Sequence, residues 1–301
     1  MAAEKPNFLK SRLVSDVVVK GDLPGRMRNG DSPFKDFSDV HRPTRQGLKD
    51  LRIMGCAQYT EQQLINLKNQ LADQGPIYIV DLRQEAHVFV DGIPISKNVH
   101  VNMVERWFTD DVSAAREQAL LSDLQSQESI TYEEIEKKDN STIKETTTHT
   151  VKPMRIESPQ QLVERHGMHY VRFYITNHHM PSNHVIDQLI QFLDTVPEHA
   201  TIVFHCRGGK GRTTTAMVLV DIIENGDTVS LDDIIARQYL LGQTNLVNHG
   251  GRIPVPQTCA NSHWKFISST ERYMFLKAFY AFRNSPKFGK ETWSQWISTR
   301  L

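Results

Sequence analysis

Thr201-Ile-Val-Phe-His-Cys206-Arg207-Gly208-Gly209-Lys210-Gly211-Arg212-Thr213-Thr-Thr215 joins an apolar run to a second apolar segment through a glycine-rich loop. Thr201 to Phe204 reads as a buried strand. The segment after Arg212 carries Ala216, Val218, Leu219 and Ile222 at helical spacing. A strand that enters a helix through such a loop places the loop beyond the carboxyl end of a sheet, where α/β proteins bind ligands.

Each residue type in the loop has a chemical reason. Backbone N–H groups of the loop can converge as an anion nest, and the following helix adds the positive end of its dipole. Both favour the thiolate of Cys206 over its thiol, and both favour a bound phosphate dianion. Gly208, Gly209 and Gly211 remove side chains so that the backbone can approach phosphate. Arg212, six positions after Cys206, offers a planar fork to two phosphate oxygens. Thr213 can donate its hydroxyl to the sulfur. A structural cysteine in a glycine-rich turn is the plain alternative, but it would need strand, cysteine, glycines, arginine and helix to coincide.

Outward from the loop, the pattern alternates. Thr60 and Gln63 form a capping box before Leu64, Leu67 and Leu71, and Gly75-Pro76 stops that helix. Ile77 to Val80 reads as a buried strand that ends in Asp81-Leu82-Arg83. Tyr170 to Ile175 reads as a strand. Ser182 and Ser230 cap helices, and a last long helix holds Tyr273, Leu276 and Tyr280. Strands alternating with helices predict an α/β fold with a mostly parallel sheet flanked by helices on both faces. Residues 1–45 read as an irregular arm, and 46–98 with 159–301 as the core. Residues 99–158 read as an inserted, small β-rich subdomain, with a disordered linker as the competing reading of the charged stretch 129–156. They contain a helix over 110–127 and a hairpin about Asp139-Asn140-Ser141.

The bulk composition narrows the class. The 301 residues carry 35 Lys+Arg against 35 Asp+Glu, so no bulk field attracts nucleic acid or an anionic membrane. No apolar run is long enough to span a bilayer. The first residues lack the apolar core of a signal peptide, so the chain reads as cytoplasmic, or as secreted or translocated after loss of a leader. Three scattered cysteines, Cys56, Cys206 and Cys259, build neither a disulfide framework nor a zinc site. The oligomeric state is unreadable.

The loop resembles that of the protein tyrosine phosphatase superfamily. Ile77 to His87 followed by Gly92-Ile93-Pro94, with Pro43 to Gly47, Thr176-Asn177-His178, Arg237-Gln238 and Trp264-Lys265, is similar to the bacterial tyrosine-phosphatase-like inositol polyphosphatases, the cysteine phytases. The resemblance implies a phosphatase core with a small partial β-barrel. It also implies removal of phosphates from myo-inositol hexakisphosphate through phosphocysteine, without a metal. By position it implies Cys206 as nucleophile, Arg212 as phosphate clamp, His178 beside the general acid and Asp81 as an active-site carboxylate. Arg28, Lys265 and Arg272 are then contacts for peripheral phosphates, Arg272 standing where lysine is common.

One position departs. Asn177 stands where the family has the aspartate that protonates the leaving oxygen, and an amide cannot titrate. Three readings of it stand: an engineered substitution, a natural form whose proton comes from His178, His179 or Asp81, and a binder with little turnover. Arg207 and Lys210 add cations to the loop, which suits a polyphosphorylated small molecule. The alternatives are a phosphoinositide lipid phosphatase, a tyrosine or dual-specificity protein phosphatase, and an inositol-phosphate binding module.

Overall fold

The computed structural model describes residues 12–37, 40–98, 108–137, 143–246 and 260–300, with backbone alone at 98, 137, 143 and 260–266. The elements in chain order are β1 (Arg12–Ser15), β2 (Arg28–Asn29), β3 (Ile53–Ala57), α1 (Glu61–Gln70), β4 (Ile77–Asp81), β5 (His87–Val90), β6 (Ile93–Asn98) and α2 (Asp110–Gln125). There follow β7 (Ile130–Lys137), β8 (Ile143–Val151), β9 (Ile156–Glu157), α3 (Pro159–Arg165), β10 (His169–Arg172), α4 (Asn183–Thr195), β11 (Thr201–Cys206), α5 (Gly211–Asn225), α6 (Leu231–Gly242), α7 (Ala260–Arg283) and α8 (Trp293–Ser298).

The core sheet runs β10-β4-β11-β3-β2, parallel except for β2 at the edge. Its central strand β11 is buried at every position, as expected of a parallel strand covered on both faces. One face packs residues of α4 to α8, with Phe275, Phe279, Phe282, Trp293 and Trp296 as its aromatic centre. The other packs Leu64 and Leu67 of α1 and Leu162 and Val163 of α3. This is the α/β arrangement with helices on both faces that the alternation predicts.

Local sequence signals set the helix starts. Thr60 with Gln63 and Ser158 with Gln161 form reciprocal capping boxes, and Ser182 and Ser230 cap α4 and α6 through their hydroxyls. Such caps satisfy N–H groups that have no intrahelical partner.

The second sheet runs β8-β7-β1-β6-β5-β9, and its core lies between α2 and the strands, with Val88, Val90, Ile95, Leu120, Leu121, Leu124 and Ile130 buried. It reaches beyond residues 99–158. β1 comes from the arm, and β5 and β6 from 87–98, because a hairpin of β7 and β8 alone cannot bury one face. The β7–β8 hairpin has the expected arms, while its turn about Asp139-Asn140-Ser141 lies outside the described residues. The arm is not irregular throughout: β1 joins the second sheet, Gln63 Nε2 donates to the carbonyls of Gly21 and Leu23, and β2 pairs with β3. Among the described residues no helix is long and apolar enough to cross a membrane.

Candidate active site

β11 ends at Cys206 and α5 begins at Gly211, so the loop between them lies at the carboxyl edge of the core sheet. Gly209 holds the turn. Its φ is +62°, and a Cβ there would lie 2.6 Å from the backbone nitrogen of Ala57. Only glycine fits that left-handed position against β3. A Cβ on Gly208 would meet only Lys210 Cγ at 4.0 Å, whereas a Cβ on Gly211 would lie 3.3 Å from the Arg272 guanidinium. The three glycines therefore serve different ends, and the close approach at Gly209 is to β3.

α5 starts without a side-chain cap: Lys210 occupies the cap position and makes no capping hydrogen bond. Among the described residues, six other helices begin on a Ser or Thr that does. The N–H groups of the first turn of α5 are thus left to an anion. One of them is already engaged, since the backbone N–H of Thr213 donates to the Cys206 sulfur. The Thr213 hydroxyl donates to the same Sγ at 3.2 Å.

The two described thiols show what this environment does. Burial pushes Cys56 up to about 12. Burial pushes Cys206 up as well, but the Arg212 charge and the two donors of Thr213 outweigh it, and the thiol lies below its ordinary value. The sheet register pairs His205 with Cys56 and Cys206 with Ala57, so the two sulfurs project from opposite faces and only Cys206 meets the loop. Alkylation by iodoacetamide, followed on the Cys206 peptide by mass spectrometry, is expected to slow about tenfold at pH 7 in Thr213→Ala, because a donor to a charged acceptor is lost. An unchanged rate would remove Thr213 from the activation of the sulfur.

Arg212 is held by a carboxylate that sequence reasoning did not single out. Nη2 donates to Glu85 Oε1 at 2.8 Å and Nη1 to Glu85 Oε2 at 2.5 Å. Nη1 also donates to the carbonyl of Ile175 at 3.0 Å. These contacts occupy both hydrogens of Nη1 and one of Nη2. The Nε–H and the remaining Nη2–H form the other edge of the fork, with the geometry of two phosphate oxygens. Burial acts to raise the Glu85 carboxyl, yet the Arg212 charge and hydrogen bonds dominate and hold it far below the usual range. The signal in the sequence was the Asp81 to Glu85 stretch, quoted for resemblance alone.

His205, next to Cys206, is pushed down to about 3 by burial, so it is a neutral ring tilted against Tyr59 at 4.9 Å. Asp81 lies below the site. It is fully buried, accepts from the Tyr170 hydroxyl at 3.0 Å and the Arg83 N–H at 2.9 Å, and sits 3.1 Å from His87 Nε2. Burial acts to raise its pKa, but the Arg172 charge and the contact with His87 hold it well below the carboxylate range. Asp81 is thus enclosed at the sheet end, held by Tyr170, Arg83 and His87.

The loop bearing Asn177 follows β10, which stops at Arg172, three residues short of the expected end. Ile175 turns its carbonyl to Arg212, and Thr176 Oγ1 donates to Gln84 at 2.5 Å. His178 has φ of +68° and an exposed side chain, and its carbonyl accepts from Arg272 Nη2. Arg272 is 7% exposed on α7, so it clamps the Asn177 loop beside Gly211. Burial, with Arg212 nearby, lowers its pKa to about 10.

The basic residues thus sort differently from the sequence expectation. Arg28 does not face outward: it is 3% exposed and donates to the carbonyls of Arg26 and Gly209 and to the Thr214 hydroxyl, each at 3.0 Å. It braces the loop from behind, because β2 lies against the β3 edge and points inward there. Lys265 is on α7, but its side chain lies outside the described residues. Arg207 pairs through Nε with Asp16 at 2.9 Å. Lys210 and Arg26 are exposed at the mouth, close enough that Arg26, after burial, lowers the Lys210 pKa.

The resemblance motifs Pro43 to Gly47 and Arg237-Gln238 meet in space but serve packing. Arg237 donates to Asp221 on α5 and to the Gln46 carbonyl at 2.8 Å, tying α6 to α5 and the segment before β3.

A family model described as PTP-like phytase, inositol hexakisphosphate, matches residues 80–224. The chain is 30% identical over 256 residues to the effector protein hopD2 of Pseudomonas syringae pv. tomato, which covers 83% of this chain and 52% of that protein. The fold is similar to the PTP-like myo-inositol phosphatase from Mitsuokella multacida in complex with myo-inositol-(1,3,4,5)-tetrakisphosphate. That match has a TM-score of 0.86 and 25% identity, over 99% of this chain and 49% of that one. It is also similar to a PTP-like phytase from Bdellovibrio bacteriovorus, with a TM-score of 0.72 and 26% identity over 99% and 98% of the two chains. The chain spans about half the length of hopD2 and of the Mitsuokella protein. A glycine-rich loop of this construction, on a fold that follows both solved structures along almost all of this sequence, places residues 80–224 with the protein-tyrosine-phosphatase-like phytase family.

Proposed function

We propose that this chain is a phosphoric monoester hydrolase acting on inositol polyphosphates, myo-inositol hexakisphosphate among them, through a phosphocysteine intermediate. The observation that carries this reading is the Cys206 sulfur, held by two donors of Thr213 at the uncapped start of α5. The thiolate attacks phosphorus in line with the ester oxygen, forming the S–P bond as the P–O bond breaks. Loop N–H groups and the outer edge of Arg212 hold the equatorial oxygens as charge redistributes. The leaving inositol oxygen takes a proton. Water then attacks phosphocysteine, releasing inorganic phosphate and returning the thiolate.

Exposed Lys210 and Arg26 at the mouth favour a substrate with several phosphates over a phosphotyrosine peptide. Phosphate release from hexakisphosphate set against release from a phosphotyrosine peptide tests the substrate class. Faster turnover of the peptide would overturn it.

Asn177 motivates a second reading, a binder with little turnover. Under the hydrolase reading, with Asp81 fully buried, the proton for the leaving oxygen comes from His178 or His179 of the same loop. Asn177→Asp is expected to raise phosphate release at least tenfold, since a general acid contributes about 10²–10⁴-fold. An unchanged rate would show that another group already supplies the proton.

A further inference from the structure

A cleft of about 170 Å³ flanks the phosphate loop, lined among others by Asp16, Lys20, Gln58 and Arg207. Arg207 follows the nucleophile directly, so its Cα lies about 3.8 Å from that of Cys206. Its Nε is taken by Asp16, which leaves both Nη groups, and the side chain is 35% exposed.

Gln58 supplies the second observation. It is 2% exposed, and its backbone N–H donates to the Arg207 carbonyl at 3.2 Å. Its Oε1 accepts from Arg83 Nη1 at 2.9 Å. A guanidinium only donates, so this contact fixes which end of the amide is oxygen. The Nε2 end is buried and has no hydrogen-bond partner among the described residues. A buried amide donor left unmade is unfavourable, and such a group marks a place for an acceptor.

The charges around the cleft favour an anionic acceptor. Asp16 is satisfied by Arg83, Ser96 and Arg207. Lys20 is paired with Glu136 at the surface. Among the charged residues that line the cleft, two cations, Lys20 and Arg207, stand against one anion, Asp16.

We infer that this cleft is an accessory anion site, which takes a second phosphate of a polyphosphorylated small molecule while the first sits over Cys206. Gln58 Nε2 and the Nη groups of Arg207 are its donors. The assignment rests on the functional reading above and names a specificity element beside the nucleophile.

The test uses the full chain carrying Cys206→Ser, which is expected to bind without turnover. Titration calorimetry measures its affinity for myo-inositol hexakisphosphate and for orthophosphate, which fills the catalytic loop alone. Gln58→Glu keeps the oxygen that serves Arg83 and replaces the donor by a charged oxygen. Arg207→Gln removes the cation and stands in if the first variant does not fold. In either, the ratio of the hexakisphosphate affinity to the orthophosphate affinity is expected to fall about tenfold. An unchanged ratio, whether neither affinity moves or both fall together, overturns the site. Absence of hexakisphosphate binding in the parent overturns both readings. Retained hexakisphosphate turnover by the Cys206 enzyme with an unchanged ratio sinks the accessory site alone. A falling ratio without turnover sinks the hydrolase reading alone.

Discussion

Cys206→Ser is expected to lower phosphate release from myo-inositol hexakisphosphate by about 10⁴-fold or more, as loss of a covalent nucleophile does elsewhere. The reason lies in what the loop stabilises. Arg212, the Thr213 hydroxyl and the Thr213 N–H favour a negative sulfur strongly enough to overcome burial. A serine hydroxyl in the same cradle stays protonated, so the attacking atom is lost while the donors for phosphate remain. Binding of hexakisphosphate is therefore expected to survive the substitution, and calorimetry beside a phosphate-release assay checks both halves. Turnover within tenfold of the parent would mean that the sulfur forms no bond to phosphorus.

Glu85→Gln is expected to have the second largest effect, on stability and on rate together. The carboxylate grips both terminal nitrogens of a guanidinium that is 4% exposed. An amide keeps one acceptor, turns an N–H₂ toward the cation, and leaves a buried charge unmatched. Breaking a buried pair in this way costs about 3–5 kcal/mol. Urea denaturation measures it. The rate is expected to fall about 10²-fold, the penalty for a misplaced clamp.

Two further readouts separate this cause from general damage. Inorganic phosphate should stabilise the variant more than the parent, because its oxygens replace the missing negative charge beside Arg212. The pH dependence should differ as well. The folded-state pKa of Glu85 is depressed, so its contribution is complete above the ordinary glutamate value of about 4.3 and fades as pH falls toward the depressed one. The variant should lack that part of the acid loss. An unchanged denaturation midpoint would show that Arg212 needs no carboxylate beneath it.

The oxidation sensitivity of the site follows from the same electrostatics. A depressed thiol pKa exposes sulfur to peroxide as thiolate, whereas Cys56, pushed up to about 12, stays inert.

The core sheet was readable to different depths along the chain. β4 and β11 are continuous apolar runs and were visible. β3, Ile53-Met-Gly-Cys-Ala57, was not, although it lies beside β11 at the centre of the sheet. It is five residues long with one β-branched side chain and an internal glycine, so neither propensity nor alternation marks it. Gly55 is there because a Cβ would lie 2.4 Å from the Met217 sulfur on α5, a reason that exists only after folding. The second sheet was half visible for a related cause. Its β7–β8 hairpin is local, but β1 meets β6 across more than eighty positions, and such pairing leaves no short-range mark.

The sequence analysis was enough to bring Cys206, Arg212 and Thr213 together, because all three belong to one strand, one turn and the first turn of one helix, and local geometry joins them. It was enough too for the helix starts, where a cap and its partner are three residues apart. It could not reveal that Glu85 grips Arg212 across 127 positions, that Arg28 reaches Gly209 across 181, or that Arg207 leans on Asp16. A guanidinium looks the same in a sequence whether it braces a loop from beneath or waits for substrate above it. Its direction depends on which distant elements pack against it, and that choice is made when the sheet and its helices close.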